Sequence, residues 1–210
     1  MTKRKELGRR DPEGRREAIM QAGLAVFSDQ GFAATKLDDV AVKAGVAKGT
    51  IYLYFRDKQD LFEQIVRDAV LPVIARLEGI AQAPDLPAEV ALKALIDLFR
   101  TEVLETRRKH VLRLIMTEGP RFPALAEFYH REVVSRGLKH IGGLLRRSAA
   151  KGELSIAAVV RFPQLVFAPL LMAVMWDALF ARIDPLDVDG MLAAHRELLV
   201  GKAKQRGGKT

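Results

Sequence analysis

The sequence predicts an all-α protein with a small N-terminal helix-turn-helix domain and a larger C-terminal helical domain. Apolar residues recur three and four positions apart along most of the 210-residue chain, and glycines and prolines interrupt these runs. An alternating strand pattern is absent from the sequence. We predict that residues 1–60 form the N-terminal arm and the helix-turn-helix domain, and that residues 61–210 form the helical body.

The first helix is predicted over Pro12 to Gln30. Proline suits the first turn of a helix, and Gly31 can adopt the left-handed backbone that ends one. Phe32 then follows as an apolar plug beneath the next helices. One face of the first helix carries the apolar residues Ile19, Ala22, Val26 and Phe27.

Residues 35–62 predict two short helices joined by a glycine turn, followed by the start of a third helix. Thr35 and Asp38 have the spacing of a capping box, so the first of these helices is expected to begin near Lys36 or Leu37. Gly45 is expected to end it. Helix, glycine turn and helix in this order make a helix-turn-helix unit.

The second helix of this unit is predicted over Lys48 to Phe55, with Ile51 and Phe55 as its core side. Asp57 and Asp60 form another capping pattern for the third helix. That helix is expected to run toward Gly79 and opens with the apolar residues Leu61, Phe62, Ile65 and Val66.

The rest of the chain predicts further helices after a linker at Ala81–Pro87. A bend is expected near Pro72, and Pro163 and Pro169 predict that one later helix is kinked or broken. Ser155 can cap that helix. The predicted spans are 88–106, 107–118, 123–151, 156–183 and 188–204.

Composition favours a cytoplasmic protein that meets an acidic partner. The chain has no cysteine, and its N-terminus is charged rather than apolar. The longest apolar run, Leu165 to Trp176, is too short to span a bilayer, so no membrane partner is expected. The net charge is +8, and residues 201–210 hold four Lys and Arg and no Asp or Glu. A basic arm ahead of a helix-turn-helix unit can reach DNA phosphates, although a solvated tail is the alternative interpretation.

No motif predicts catalysis or cofactor binding. Glu127 and His130 have the Glu-x-x-His spacing of di-metal helical bundles, but such sites need two copies and this chain has one. The four histidines lack metal-ligand spacing, and neither a phosphate-binding glycine loop nor a nucleophile elbow is present. We expect no catalytic residues, no metal site and no cofactor.

The run AGVAKGTIYLYFRDKQDLF, preceded by GFAATKLDDVA, resembles the DNA-binding domain of the TetR family of bacterial transcriptional regulators. The resemblance covers about Arg15 to Val66. It departs from the family at Ala47, where a small hydroxyl residue is common. Alanine is a poorer helix cap by about 1 kcal/mol. Lys48 and Thr50 are therefore expected to carry more of the phosphate contact.

The resemblance implies that residues 47–55 lie in the major groove of double-stranded DNA. Because two tyrosines that flank Leu53 cannot share one helix face, Tyr52 is the preferred DNA contact and Tyr54 the more buried ring. The predicted DNA-binding residues are Thr35, Lys36, Lys48, Gly49, Thr50, Tyr52, Tyr54 and Lys58.

The family resemblance also implies a homodimer and a ligand pocket in the helical body. Span 156–183 is apolar around much of its circumference and, with Met191, Leu192, Leu198 and Leu199, is the predicted dimer surface; ordinary core is the alternative. A small, partly apolar inducer is expected, with His110, Arg113, Glu118 or His130 as a polar anchor. The predicted pocket residues are Phe99, Arg113, Met116, Phe128, Phe167, Met172 and Trp176.

The leading hypothesis is a homodimeric repressor that a small-molecule inducer releases from a palindromic operator, with activation still possible. A DNA-bound architectural or partner-binding protein without an inducer is the alternative. A third possibility is an all-α enzyme, which would require a polar constellation that the sequence lacks.

Overall fold

The computed structural model describes residues 12–154 and 158–200, and all regular secondary structure within them is helical. The predicted all-α class is confirmed. The α-helices in chain order are α1 (Pro12–Ala34), α2 (Leu37–Ala44), α3 (Lys48–Ile51), α4 (Lys58–Gln82), α5 (Ala88–Phe99), α6 (Arg108–Glu118), α7 (Pro123–Tyr129), α8 (Ser135–Ala150), α9 (Ala158–Arg161), α10 (Ala168–Leu179) and α11 (Val188–Val200).

The described residues group into two compact units. Unit one contains the described residues up to Leu71 together with His110–Glu132, and unit two contains Pro72–Lys109 and the described residues from Val133 onward. Helix α4 contributes residues to both units. The functional division into 1–60 and 61–210 stays a prediction.

Three phenylalanines form the centre of unit one. Phe27, Phe32 and Phe62 are each at most 3% exposed. The Phe27 and Phe32 rings stack with centroids 5.5 Å apart, and the Phe62 ring meets both edge-on at 6.0 and 6.2 Å. Edge-to-face and offset-stacked rings are the favoured geometries for aromatic pairs. Phe32 is thus confirmed as a buried apolar residue, and its position beneath the helix-turn-helix stays a prediction.

Unit two has an aliphatic core. Its main cluster joins α5, α8 and the segment after α9, and includes Leu92, Leu95, Ile141, Leu145 and Val166, all at most 1% exposed. A smaller cluster contains Ile96, Leu170 and Leu192. The periodic apolar positions of the sequence thus form the interior of the helical body.

Gly45 and Gly152 follow helix ends where the sequence predicts them, whereas Gly31 interrupts α1, which continues to Ala34. Gly31, Gly45 and Gly152 all have positive φ, at 77°, 69° and 70°. These are left-handed conformations that glycine adopts without a steric penalty. Gly31 marks a break in the backbone inside α1, so the segment that follows has its own direction.

The predicted helix cap at Thr35 is wrong. The residue before α2 is Lys36, and no side chain caps it. The Thr35 side chain is 1% exposed and its Oγ1 donates a 2.7 Å hydrogen bond to the carbonyl of Gly31, four residues earlier. Threonine commonly bonds back in this way near helix ends.

The predicted cap of the third helix is confirmed. The backbone N–H of Asp60 donates to Asp57 Oδ1 at 2.8 Å, and the Asp60 carboxylate accepts from the backbone N–H of Arg56 at 3.0 Å. These reciprocal bonds satisfy free N–H groups at the start of α4. Burial raises the pKa of Asp60, but the hydrogen bonds from Arg56 and Gln64 and the charge of Arg56 together lower it below its usual value.

Several predicted helices of the body are interrupted. Span 88–106 changes to a π-helical turn at Arg100–Leu104, and span 123–151 does so at His130–Val134. Span 156–183 is broken at Pro163, where a 3-10 turn separates α9 from α10, as its prolines predict. The proposed cap at Ser155 and residues 201–204 of the last predicted helix lie outside the described residues.

Candidate nucleic-acid interface and a polar cleft

The turn between α2 and α3 is fixed by backbone hydrogen bonds. The N–H of Gly45 bonds to the Val42 carbonyl at 3.1 Å, and the N–H of Val46 bonds to the Ala41 carbonyl at 3.0 Å. These bonds satisfy the last carbonyls of α2 and aim the chain into α3. Ala47 precedes α3 without a side-chain cap, as its methyl group requires.

Helix α3 is shorter than predicted and ends in a tightened turn. It spans Lys48–Ile51 instead of reaching Phe55. The N–H groups of Leu53 and Tyr54 bond three residues back, to Thr50 and Ile51, both at 3.1 Å. A 3-10-type end of this kind rotates the last side chains away from α-helical positions.

Two buried side chains anchor this segment and leave the others facing outward. Ile51 and Phe55 are 0% and 1% exposed, whereas Tyr52 is 52% and Leu53 is 82% exposed. Tyr54 is half-buried beside Phe55, with ring centroids 6.4 Å apart. The expected difference between the two tyrosines is confirmed as a difference in burial.

Leu53 belongs to this exposed surface, and sequence reasoning missed it. The sequence-based prediction gives no contact role to this apolar residue between two tyrosines. Because the turn after Ile51 is tight, Leu53 projects outward. The sequence feature that indicates a contact role is that Leu53 is apolar and adjacent to Tyr52, a predicted DNA contact. Leucine can contact a thymine methyl group.

Lys48 lies at the start of α3 and forms an ion pair with the first turn of α2. Its Nζ donates a 2.6 Å hydrogen bond to Asp38 Oδ2. This hydrogen bond, followed by the charge attraction of the same carboxylate, raises the pKa of Lys48. Lys36 and Gly49 are also exposed, and Thr50 is half-buried.

Two predicted DNA contacts form hydrogen bonds inside unit one. Lys58 Nζ donates to the carbonyls of Phe32, Ala33 and Thr35 at 2.7, 2.8 and 3.2 Å and lies 4.8 Å from the centre of the Phe32 ring. The Thr35 hydroxyl is buried and bonded to Gly31. Both side chains are thus bonded within unit one, and their role as DNA contacts stays a prediction.

The three hydrogen bonds of Lys58 are expected to contribute to the free energy of unfolding of unit one. We expect Lys58→Met to destabilise unit one by about 1–3 kcal/mol, because three carbonyls at the end of α1 lose a charged donor while the aliphatic stem is kept. Urea unfolding followed by circular dichroism measures it. The matched control is Lys43→Met, which breaks only an exposed ion pair with Asp29. Equal unfolding midpoints for the two variants would contradict this role.

Unit two contains a polar cleft of about 400 Å³. It lies between the π-helical turn after α5, helix α10 and the start of α11. Its charged residues are mostly paired: Lys109 bonds Asp177 at 3.0 Å, and Arg100 pairs with Glu105 and, at 3.7 Å, with Asp189. The apolar part of the lining consists of Leu104, Ala173, Val174, Leu186 and Val188.

The predicted pocket residues are divided between the two units. Arg113, Met116 and Phe128 belong to unit one, and the other four belong to unit two. Phe99 and Phe167 of this set pair with each other, with ring centroids 5.6 Å apart, whereas Trp176 pairs with Phe180, which is outside the set. None of the seven residues lines the described cleft. Their role as a ligand pocket stays a prediction.

Polar clusters in the described part of the chain do not suggest a metal centre. Within residues 12–154 and 158–200, no group of three or more His, Asp or Glu residues could hold a metal ion. Among the same residues, no helix is both long and apolar enough to cross a membrane.

Comparison with known proteins identifies the family. A model of bacterial regulatory proteins of the tetR family matches residues 19–65, which contain the helix-turn-helix. A model of the C-terminal domain of AefR-like transcriptional repressors matches residues 90–194, which is half of the chain. The chain belongs to the TetR family. The resemblance that rests on α2 and α3 is thereby confirmed, and it extends through the helical body.

Individual relatives agree with this assignment. The chain is 35% identical over 102 residues to the HTH-type transcriptional regulator AcrR of Shigella flexneri, covering 48% of this chain and 47% of that protein. It thus spans about half the length of that relative. It is 26% identical over 156 residues to the HTH-type transcriptional repressor KstR2 of Mycolicibacterium smegmatis, covering 72% and 75%.

A solved structure confirms the TetR-like fold. The transcriptional regulator FadR from Bacillus subtilis, solved in complex with stearoyl-CoA, superposes with a TM-score of 0.70 at 24% identity. The match covers 88% of this chain and 97% of that one.

Proposed function

We propose that this TetR-family regulator is a homodimeric repressor that binds a palindromic DNA operator and leaves it when a small, partly apolar ligand binds. The observation that best supports this proposal is the group of outward-facing side chains around α3, which the buried Ile51 and Phe55 hold in place. Such a regulator acts on DNA in the cytoplasm and needs no catalytic chemistry. The division into a DNA-binding part, 1–60, and a ligand-binding and dimerisation part, 61–210, belongs to this proposal.

The proposed DNA contacts combine charge with base recognition. Lys36 and Lys48 supply charge for phosphate oxygens, and Gly49 lets the backbone approach closely. The phenol and ring of Tyr52 suit a phosphate oxygen or a thymine methyl group, and Leu53 adds a second apolar contact. Thr50 and Tyr54 complete the set at its half-buried edge.

Two alanine variants separate these roles. We expect Lys48→Ala to weaken binding about three- to tenfold on every duplex and to make the salt dependence shallower by about 0.9, as loss of one phosphate contact requires. Tyr52→Ala should weaken operator binding about tenfold or more while changing random-sequence binding little, since one good base contact discriminates by about 1–3 kcal/mol. Fluorescence anisotropy on both duplexes measures the two effects.

The control for both variants is Lys43→Ala, which removes an exposed positive charge of unit one that is paired with Asp29. Operator affinity that stays at the wild-type value in both Lys48→Ala and Tyr52→Ala would refute the contact assignment.

The proposed dimer surface is the apolar face of α10. Leu171, Met172, Met175 and Leu179 are between 39% and 61% exposed and recur at helical spacing. Ile183, beyond the end of α10, and Leu198 on α11 are exposed as well, at 81% and 64%. Contiguous apolar exposure of this kind marks an interaction surface. Leu192 and Leu199, which the sequence also suggested for the dimer surface, are core residues of unit two.

The cleft of unit two supports the ligand-response part of the proposal. Its volume falls within the range of about 300–1,000 Å³ typical of small-molecule sites, and it combines apolar walls with charged groups. The FadR structure holds a ligand with a long apolar chain. Because the cleft has apolar walls and FadR binds such a ligand, we propose a partly apolar ligand for this chain.

A DNA titration with a panel of small apolar metabolites tests the ligand response. Release of a bound operator by one compound is the expected result. Specific binding that no compound releases would instead favour a partner-binding protein without an inducer.

A further inference from the structure

The ion pair between Asp38 and Lys48 lies on the proposed DNA-reading surface itself. Asp38 is in the first turn of α2, and Lys48 begins α3, so the pair joins the two helices of the reading unit. The 2.6 Å separation between Lys48 Nζ and Asp38 Oδ2 is that of a charge-assisted hydrogen bond. The Lys48 side chain is otherwise largely exposed.

The surroundings of Asp38 strengthen the electrostatic attraction between its carboxylate and Lys48. One carboxylate oxygen, Oδ1, is buried and has no hydrogen-bond partner among the described residues. Its other oxygen, Oδ2, faces Lys48. A carboxylate that is partly removed from solvent and poorly satisfied attracts its remaining cationic partner more strongly than a fully hydrated one does.

Binding to DNA of arbitrary sequence depends on exposed positive charges such as that of Lys48. Sequence-independent affinity comes almost entirely from lysines and arginines that neutralise phosphates and release counterions. A carboxylate that pairs with Lys48 cancels one such charge at the reading surface. It also adds a negative group that phosphates repel.

We propose that Asp38 limits sequence-independent DNA binding by holding Lys48 away from phosphates. The inference rests on the proposed DNA-binding function and adds a residue to it that opposes DNA binding. In this role Asp38 is a restraining residue: DNA must displace it from Lys48 before that lysine can neutralise a phosphate.

Asp38→Asn tests the proposal, and the chain offers a matched control. Asp29 pairs with Lys43 at 3.0 Å between exposed side chains of the same unit, so Asp29→Asn makes the same change in net charge without freeing a lysine of α3. On a random-sequence duplex, we expect Asp38→Asn to bind about two- to fivefold more tightly than Asp29→Asn, the range that an exposed ion pair supports. Its salt dependence should match that of Asp29→Asn, because Lys48 makes the same single phosphate contact in the bound state of both variants.

A double-mutant cycle shows whether the effect acts through the lysine. In a Lys48→Ala background, Asp38→Asn and Asp29→Asn are expected to bind the random duplex equally, because no lysine is left to release. Equal binding of the two single variants overturns the proposal. So does weaker binding by Asp38→Asn, which would mean that Asp38 positions Lys48 for DNA. A gain that persists without Lys48 overturns it too, since repulsion alone would then explain it.

The wild-type protein separates failure of this inference from failure of the proposed function. If the wild type binds DNA and Asp38→Asn matches Asp29→Asn, only the restraining role is lost. If neither the wild type nor any variant binds a duplex, the proposed DNA-binding function fails and the inference fails with it. Circular dichroism of each variant checks that its helical content is unchanged.

Discussion

Replacing Phe62 with alanine is expected to destabilise unit one by about 3–5 kcal/mol, because a fully buried phenylalanine leaves a cavity that its neighbours fill only in part. The ring is 0% exposed and meets Phe27 and Phe32 edge-on. A change of this size is comparable to the whole stability of a small domain. We expect the variant to lose DNA binding because the scaffold of α2 and α3 is no longer held.

Chemical unfolding followed by circular dichroism measures this effect, with Leu53→Ala as the control. Leu53 is 82% exposed, so its truncation should leave the unfolding midpoint nearly unchanged while it weakens operator binding. The two variants therefore separate a loss of scaffold from a loss of contact. A Phe62→Ala protein with wild-type stability would contradict the assignment of the aromatic core.

The second large effect concerns the apolar face of α10. We expect the double variant Met175→Glu and Leu179→Glu to be monomeric, because it places two like charges into an apolar contact between copies of the chain. Operator affinity should then fall by about 100-fold or more, because the dimer binds two half-sites at once and a monomer loses that gain in affinity. Light scattering coupled to gel filtration measures the oligomeric state.

Val90→Glu is the matched control for this surface. Val90 is a 48% exposed residue of α5 in unit two, so one glutamate charge enters outside the proposed interface. This variant should keep the dimer and its operator affinity. If the α10 double variant remains a dimer, the dimer surface lies elsewhere.

Local sequence signals predicted the helix-turn-helix well. The left-handed turn at Gly45, the core positions of Ile51 and Phe55 and the greater exposure of Tyr52 all depend on neighbours a few residues away. Spacing rules describe such neighbours directly. The family assignment followed from the same stretch of residues.

The bonds of Lys58 and Thr35 within unit one are contacts that sequence spacing does not show. Lys58 bonds to carbonyls 23 to 26 residues earlier in the chain. Thr35 bonds back to Gly31 instead of forward into α2. These bonds depend on how the segments of unit one pack, which the sequence alone does not show.

The helical body was predictable in type but less so in detail. Prolines predicted the break between α9 and α10. No feature of the sequence predicted the π-helical turn at Arg100–Leu104, which borders the cleft. How the helices pack determines which aromatic residues meet. Within the predicted pocket set, Phe99 and Phe167 are the pair of rings that contact each other in the described residues. The pairing of Asp38 with Lys48, across the turn, likewise required the structure.

The most direct test of the central claim is a titration of the purified protein against DNA from beside its own gene, with an unrelated fragment of equal length as competitor. We expect one fragment to be retained in preference to the competitor, with an affinity that falls as salt is raised and that Tyr52→Ala weakens. Equal retention of every fragment, unaffected by Tyr52→Ala, would contradict sequence-specific recognition by α3.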